Sequence, residues 1–161
     1  NKNERVGIVG PNGSGKSTLF SLICGEITPD KGDVLLPKNC RLGYLRQQLN
    51  AHELTNVPLL EYTANAIPEL TRLHTEIHDL EQQLAGEEAA RRDELLLRLG
   101  TLQTAFENRG GYRLVPLAEK TLCALGFQPE DLQRPFASFS GGWQMRAELA
   151  RTLISDPDIL L

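Results

Sequence analysis

Nothing in this sequence is apolar for long enough to cross a membrane, and no stretch has the basic-then-apolar pattern of a signal peptide. The sequence therefore predicts a cytoplasmic chain without membrane insertion. Cysteine is sparse and odd in number: Cys24, Cys40 and Cys123 stand far apart, with no Cys-x-x-Cys pair. That excludes a thiolate zinc site or a disulfide scaffold and fits a reduced chain with buried thiols. Positive charge is not in excess either. Lys and Arg total 17 against 21 acids, for a net charge of -4, which gives no support for a generally basic surface that coats nucleic acid. The acids are unevenly spread. Residues 68–110 carry nine acids against five arginines, which accounts for the whole net charge. With 24% charged and 40% hydrophobic residues, 161 residues suit one globular domain, or one domain with an insertion. Asn12-Gly13-Ser14 matches a glycosylation sequon, but its surroundings make that a chance match.

Periodicity divides the chain. Arg5-Val6-Gly7-Ile8-Val9 is a short apolar run feeding into glycines, the pattern of a buried strand entering a loop. A helix is predicted from Lys16 to Cys24, closed by Gly25, with a turn at Thr28–Gly32. Strands are predicted at Asp33–Leu36 and Arg41–Leu45. From about Pro58 the pattern becomes helical. Leu70, Leu73, Ile77, Leu80 and Leu84 form one seam, and Leu95, Leu99, Leu102 and Phe106 another, with Ala85-Gly86-Glu87 between them. This predicts an antiparallel helical hairpin over 68–109, too short for an extended coiled coil. Gly110-Gly111 breaks it, and a further helix runs from Leu114 to Leu125 before Gly126. After the connection Pro129–Pro135, Ser140 is placed to cap a helix from about Gly142 to Ile154. Asp156-Pro157-Asp158 ends that helix, and Ile159-Leu160-Leu161 begins a strand. Three segments follow: 1–57 as a nucleotide-binding core, 58–135 as a helical subdomain with the hairpin, and 136–161 as the last helix and strand.

Gly10-Pro11-Asn12-Gly13-Ser14-Gly15-Lys16-Ser17-Thr18 meets the spacing G-x-x-x-x-G-K-S. Such a loop turns backbone N–H groups inward around an anion, and its glycines permit the conformations and the close approach. The following helix points its positive end at the phosphates. Lys16 is expected at the β- and γ-phosphates of ATP and the Ser17 hydroxyl on Mg²⁺. Gln47, at the end of a predicted strand, is expected to place its carbonyl oxygen on Mg²⁺ or to hold the attacking water, with Gln48 as the neighbouring alternative. Lys16 and Gln47 are the catalytic candidates.

Ser140-Gly141-Gly142 offers a hydroxyl and exposed amides at a second helix N-terminus, a second anion site by the same physics. One γ-phosphate does not fill two such sites in one small domain, but a head-to-tail pair of domains resolves this. At these residues the chain resembles the ATP-binding-cassette family, and within it the ABC-F subfamily. Gly10–Thr18 resembles the Walker A motif, Gln47 the Q-loop, Ser140–Gln144 the signature, and Asp156–Leu161 the lead into the Walker B strand. Trp143 stands where transporter cassettes usually have Gln. Trp143-Gln144-Met145-Arg146 and a helical arm between Q-loop and signature are ABC-F features.

The resemblance implies an α/β P-loop cassette with a partial parallel sheet, a helical subdomain and an inserted hairpin. It implies a soluble ATPase that pairs with a second cassette head to tail. It also implies action on the ribosome, through ribosomal protein, rRNA or tRNA. The acidic hairpin favours a ribosomal-protein contact over generic RNA affinity. The alternative is the ATP-binding subunit of a membrane transporter, which the arm and Trp143 disfavour. A DNA-maintenance ATPase would need a far longer insert, and a binding module without turnover is decided by phosphate release. The Walker B Asp, the catalytic Glu, the switch His and the adenine-stacking aromatic that the family pattern expects are not found among these residues. Asp156 and Asp158 precede the strand and do not replace them. The expectation is a piece of a cassette that binds nucleotide weakly alone and does not hydrolyse it. His74 and His78 share a helix face but lack a third ligand, so they read as a solvated polar face. Trp143 reads as packing for its helix, with stacking on a base as the alternative.

Overall fold

The structure is a computed structural model that describes residues 4–38, 40–46, 56–86 and 89–161. They divide into two units, residues 1–44 with 157–161, and residues 45–156.

In the first unit, helix α1 spans Lys16–Ile23 and follows the glycine-rich loop. Strand β1, Leu42–Gly43, pairs in parallel with strand β2, Ile159–Leu160, with Leu42 opposite Ile159. The pairing is fixed from one end. The Asp158 carboxylate accepts a hydrogen bond from the Arg41 backbone N–H at 2.9 Å, while the Asp158 and Ile159 amides donate to the Arg41 carbonyl. Phe20 of α1 meets Tyr44 edge to face, with ring centroids 6.0 Å apart.

Two expected strands are not formed. Arg5–Val9 and Asp33–Leu36 carry no ladder, and Val6 and Val9 are 77% and 97% exposed. An apolar run of this kind becomes a strand only between neighbouring strands and under covering helices. Among the described residues the sheet has two strands of two residues each, and it gives these runs no such neighbours.

The second unit is helical. Helix α2, Leu59–Ala64, is followed by α3, Pro68–Gly86, and α4, Ala89–Asn108; then come α5, Leu114–Ala124, and α6, Gly141–Ile154. The seams expected for α3 and α4 face inward. Leu70, Ile77, Leu80 and Phe106 are buried, while Leu97, off the seam, is 75% exposed. Gln103 of α4 donates to Glu81 of α3, and Arg109 pairs with Glu69, so the two helices run antiparallel. Pro68 sits at the first position of α3, where its missing N–H costs nothing.

The core of this unit lies where α2, α5 and α6 meet. Leu59, Leu122, Phe136, Ala147 and Ala150 have no exposed surface, and Phe127 and Leu132 have almost none. The short helix α2 is clasped by a distant segment. The Leu59 and Leu60 amides donate to the carbonyls of Arg134 and Leu132, and the Phe136 amide donates to the Val57 carbonyl. The first amides of a helix have no partner within it, so this clasp satisfies two that would otherwise be orphaned in a buried place. Polar atoms in the core are satisfied locally. Thr63 donates to the Leu59 carbonyl and Thr152 to the Glu148 carbonyl.

Tyr62 is the one core phenol. Its ring stacks on Phe136 at 3.9 Å, and its hydroxyl donates to the Glu148 carboxylate of α6. The Arg151 guanidinium lies 4.7 Å from the Tyr62 ring centroid. Burial, with the Glu148 carboxylate adding to it and Arg151 opposing, pushes the phenol up to about 12. The folded state thus holds this proton more tightly than an unfolded chain, whose tyrosines titrate near 10.0. The stabilisation is fully present below that value and is lost as the pH rises through 12. In urea unfolding of this chain, followed by the fluorescence of its single Trp, the Tyr62 contribution should be constant below pH 10 and be lost above it. Tyr62→Phe should flatten that alkaline loss, and an unchanged slope in the variant would contradict the assignment.

Candidate functional site

The two sequence-predicted anion sites fall in different units, and each is built from its own residues. In the first, Gly13 and Gly15 have φ of 79° and 86°, a left-handed backbone that side chains disfavour. Gly15 is the N-cap of α1 and supplies the reversal that turns an irregular loop into a helix. The loop is closed at its other end by the Ser14 amide donating to the Pro11 carbonyl at 3.2 Å. Pro11, Asn12, Gly13 and Ser14 are exposed, as are Gly10 and Gly15 around them.

Lys16 begins α1, and its chain folds back over the loop. Its Nζ donates to the carbonyls of Gly10 and Pro11 at 2.8 Å each and to the Ser14 Oγ at 3.4 Å. A cation is therefore held at the loop by three neutral oxygen acceptors of the loop itself. Ser17 and Thr18 follow in the first turn of α1, and both are exposed. No acidic side chain lies in that turn to oppose an anion. Gln47 and Gln48 lie outside the described residues.

In the second unit Ser140 is the N-cap of α6 with an extended backbone, and its hydroxyl makes no capping bond. Gly141 and Gly142 open the helix and are exposed, and apart from their chain neighbours and their own helix backbone nothing lies within 4 Å of where a Cβ would stand. The expected cap is thus correct in position but not in bonding, since the Ser140 oxygen is not committed to its own helix. Trp143 packs into the unit. Its ring lies 4.8 Å from Phe127, and the Arg146 guanidinium covers it at 4.5 Å. Gln144 reaches toward the carbonyls of Phe136 and Ala137, at 3.5 Å each. Trp143 is therefore a wedge that seats the start of α6 against the core.

The two histidines each have a neighbour on or against their own helix. His78 is hydrogen-bonded to Gln82 and His74 lies against Phe106, and among the described residues no cluster of metal-binding side chains occurs. Asp158 is engaged with Arg41, as its place before the strand suggests. A cavity of about 370 Å³ opens at the root of the hairpin, bordered by Leu70, His74, Phe106, Tyr112 and Val115. None of the sequence-predicted site residues lines it. Sequence reasoning missed the group Tyr62, Glu148 and Arg151, because one short helix and a contact spanning 86 residues leave no periodic mark.

A family model described as ABC transporter matches residues 1–161. The chain belongs to the ABC transporter family. It is 34% identical over 161 residues to the probable ATP-binding protein YheS of Escherichia coli K12, covering 100% of this chain and 23% of that protein. The ATP-binding protein Uup of Haemophilus influenzae is 35% identical over 159 residues, covering 99% of this chain and 23% of its own length. ABC transporter F family member 5 of Arabidopsis thaliana is 33% identical over 163 residues, at 99% and 23%. These matches are those of an ABC-F type cassette, a P-loop fold with a small parallel sheet and a large helical part. The chain spans about a quarter of the length of these curated relatives. Among the described residues of this cassette no helix is long and apolar enough to cross a membrane.

The uncommitted hydroxyl of Ser140 has a measurable consequence. A capping serine contributes about 1 kcal/mol to its helix. Ser140→Ala should lower the stability of the cassette by less than about 0.5 kcal/mol in urea unfolding, since there is no capping bond to lose. A loss of the full capping value would show that Ser140 serves its own helix after all.

Proposed function

We propose that this chain is the ATP-binding and ATP-hydrolysing cassette of a cytoplasmic ABC-F type protein that acts on the ribosome. The observation that carries the nucleotide reading is the loop Gly10–Thr18. It is exposed, it reverses at Gly15 into α1, and it holds the Lys16 ammonium on its own carbonyls. Its backbone N–H groups, those of Gly10, Asn12, Gly13, Ser14, Gly15, Lys16, Ser17 and Thr18, suit the phosphates of ATP, while Pro11 shapes the loop without donating. The Ser17 hydroxyl would serve as a hard oxygen ligand to Mg²⁺, with Gln47 proposed as a second from its place in the sequence. When bound, Mg²⁺ neutralises charge that develops on the phosphates. Lys16 does the same from the protein side, leaving its loop carbonyls for phosphate oxygens.

Ser140, Gly141 and Gly142 form the second half of the proposal. An exposed helix start whose cap hydroxyl is uncommitted suits the γ-phosphate of a nucleotide held by another cassette. This is the head-to-tail arrangement, in which each nucleotide is closed by the partner's turn. The proposed division of labour has residues 1–57 as the phosphate-binding part, 58–135 as the helical subdomain and 136–161 as the signature helix with its strand. The hairpin over 68–109 is proposed as an inserted arm. Its acidic excess directs it to a ribosomal protein more than to bare rRNA or tRNA.

Two measurements on the full-length protein test this reading. Mg²⁺-dependent phosphate release should fall by roughly a hundredfold or more in Lys16→Ala, as expected when a phosphate clamp is lost from a site that works by electrostatics. Turnover indifferent to Lys16 would end the proposal. Co-sedimentation with ribosomes should differ between ATP and no nucleotide, and it should weaken when 68–109 is replaced by a short linker. Sedimentation unaffected by either change would remove the ribosomal part and leave the ATPase part standing.

A further inference from the structure

Beyond the two anion sites, we infer that Tyr62 is a positioning residue that, with Glu148 and Arg151, pins the signature helix α6 to the root of the hairpin. The inference rests on the nucleotide reading given above for Ser140–Gly142.

Tyr62 touches both approaches to that turn. Its ring stacks on Phe136 at 3.9 Å with the planes 20° apart, and Phe136 stands four residues before Ser140. Its hydroxyl donates to the carboxylate of Glu148, two turns into α6. Arg151, one turn further, covers the Tyr62 ring and donates to the Asn65 carbonyl at 3.3 Å. Asn65 is the C-cap of α2, so Arg151 satisfies a carbonyl at a helix end that has no partner in its own helix. The pins thus grip α2 in the middle and at its C-cap, and α6 before and after its first turns.

On the other side, α2 passes into the hairpin within a few residues. Asn65, Ala66 and Ile67 separate α2 from α3, and the Ile67 carbonyl already accepts the first bonds of α3 from Leu70 and Thr71. A shift of α3 therefore reaches α2 through a very short link, and α2 cannot move without pulling on Glu148, Arg151 and Phe136. The phenol holds its proton to well above the ordinary tyrosine range, and so remains a donor to Glu148.

The test uses the full-length protein. Tyr62→Phe keeps the ring and its stack and removes one hydroxyl. The expected result is a fall in kcat of about tenfold with KM for ATP altered less than about twofold, the signature of a lost positioning contact. Glu148→Ala should reproduce it, Glu148→Gln should restore most of the rate by keeping an acceptor, and the double variant should be no slower than either single one. A lowered melting temperature with unchanged kcat overturns the inference, and so does Glu148→Gln as slow as Glu148→Ala. If Lys16→Ala leaves wild-type turnover intact, the ATPase reading fails, and the pin is then judged without it. Hydrogen exchange of the nucleotide-free protein decides that case. Tyr62→Phe should speed exchange about tenfold in 144–149 and leave 95–105 unchanged. Equal exchange in 144–149, or equal acceleration in both segments, overturns the pin.

Discussion

Phe136 has no exposed surface, and its ring lies flat on that of Tyr62. The arrangement of the helical unit depends on this contact. The backbone leading into Phe136 is taken up by α2 and the residues just before it: the Phe136 amide donates to Val57, and the carbonyls of Arg134 and Leu132 receive the first two amides of that helix. A six-residue helix is too short to be stable by its own hydrogen bonds. It exists because a segment more than seventy residues away closes its start, while Leu59, Tyr62 and Thr63 are buried along its length. Once α2 is fixed, α3 has a point of departure, α5 has a face to cover, and α6 has a partner for Ala147 and Ala150.

The phosphate loop obeys a different and more local logic. Its shape comes from two left-handed glycines, one short turn and one lysine, all within nine residues. No distant contact is needed to explain why Lys16 lies over the carbonyls of Gly10 and Pro11. Local sequences of this kind are read from spacing alone, because the physics that shapes them is contained in the spacing.

That contrast explains what was legible in the sequence. The loop, α1 and its stop at Gly25, both hairpin seams and the position of Ser140 follow from glycine placement and helical period. Arg5–Val9 reads as a strand from its composition, yet strand formation is a property of neighbours as much as of sequence, and the described sheet gives it none. Ser140 reads as a cap from its type and place, but whether a hydroxyl turns to its own helix is a rotamer choice that no pattern records. Tyr62, Glu148 and Arg151 carry no motif at all. They are an ordinary aromatic, acid and base until the chain returns α6 to α2.

The chemistry of that return sets it apart from simple packing. Beyond Trp143, which packs at its start, the face that α6 turns to the core is made of small residues, Ala147, Ala150 and Thr152, with Ile154 at its end. Small side chains let two helices approach closely but present few ridges, so this stretch adds little to the hold that Trp143 has on the start of α6. A hydrogen bond to a carboxylate and a guanidinium set on a ring are directional, and they are satisfied in one register only. Replacing such a group with apolar residues of similar size often leaves stability unchanged or improves it. Its presence beside a face of small residues therefore argues for axial register rather than for stability. Register is what a helix needs when the useful atoms are the amides and the hydroxyl at its first turn.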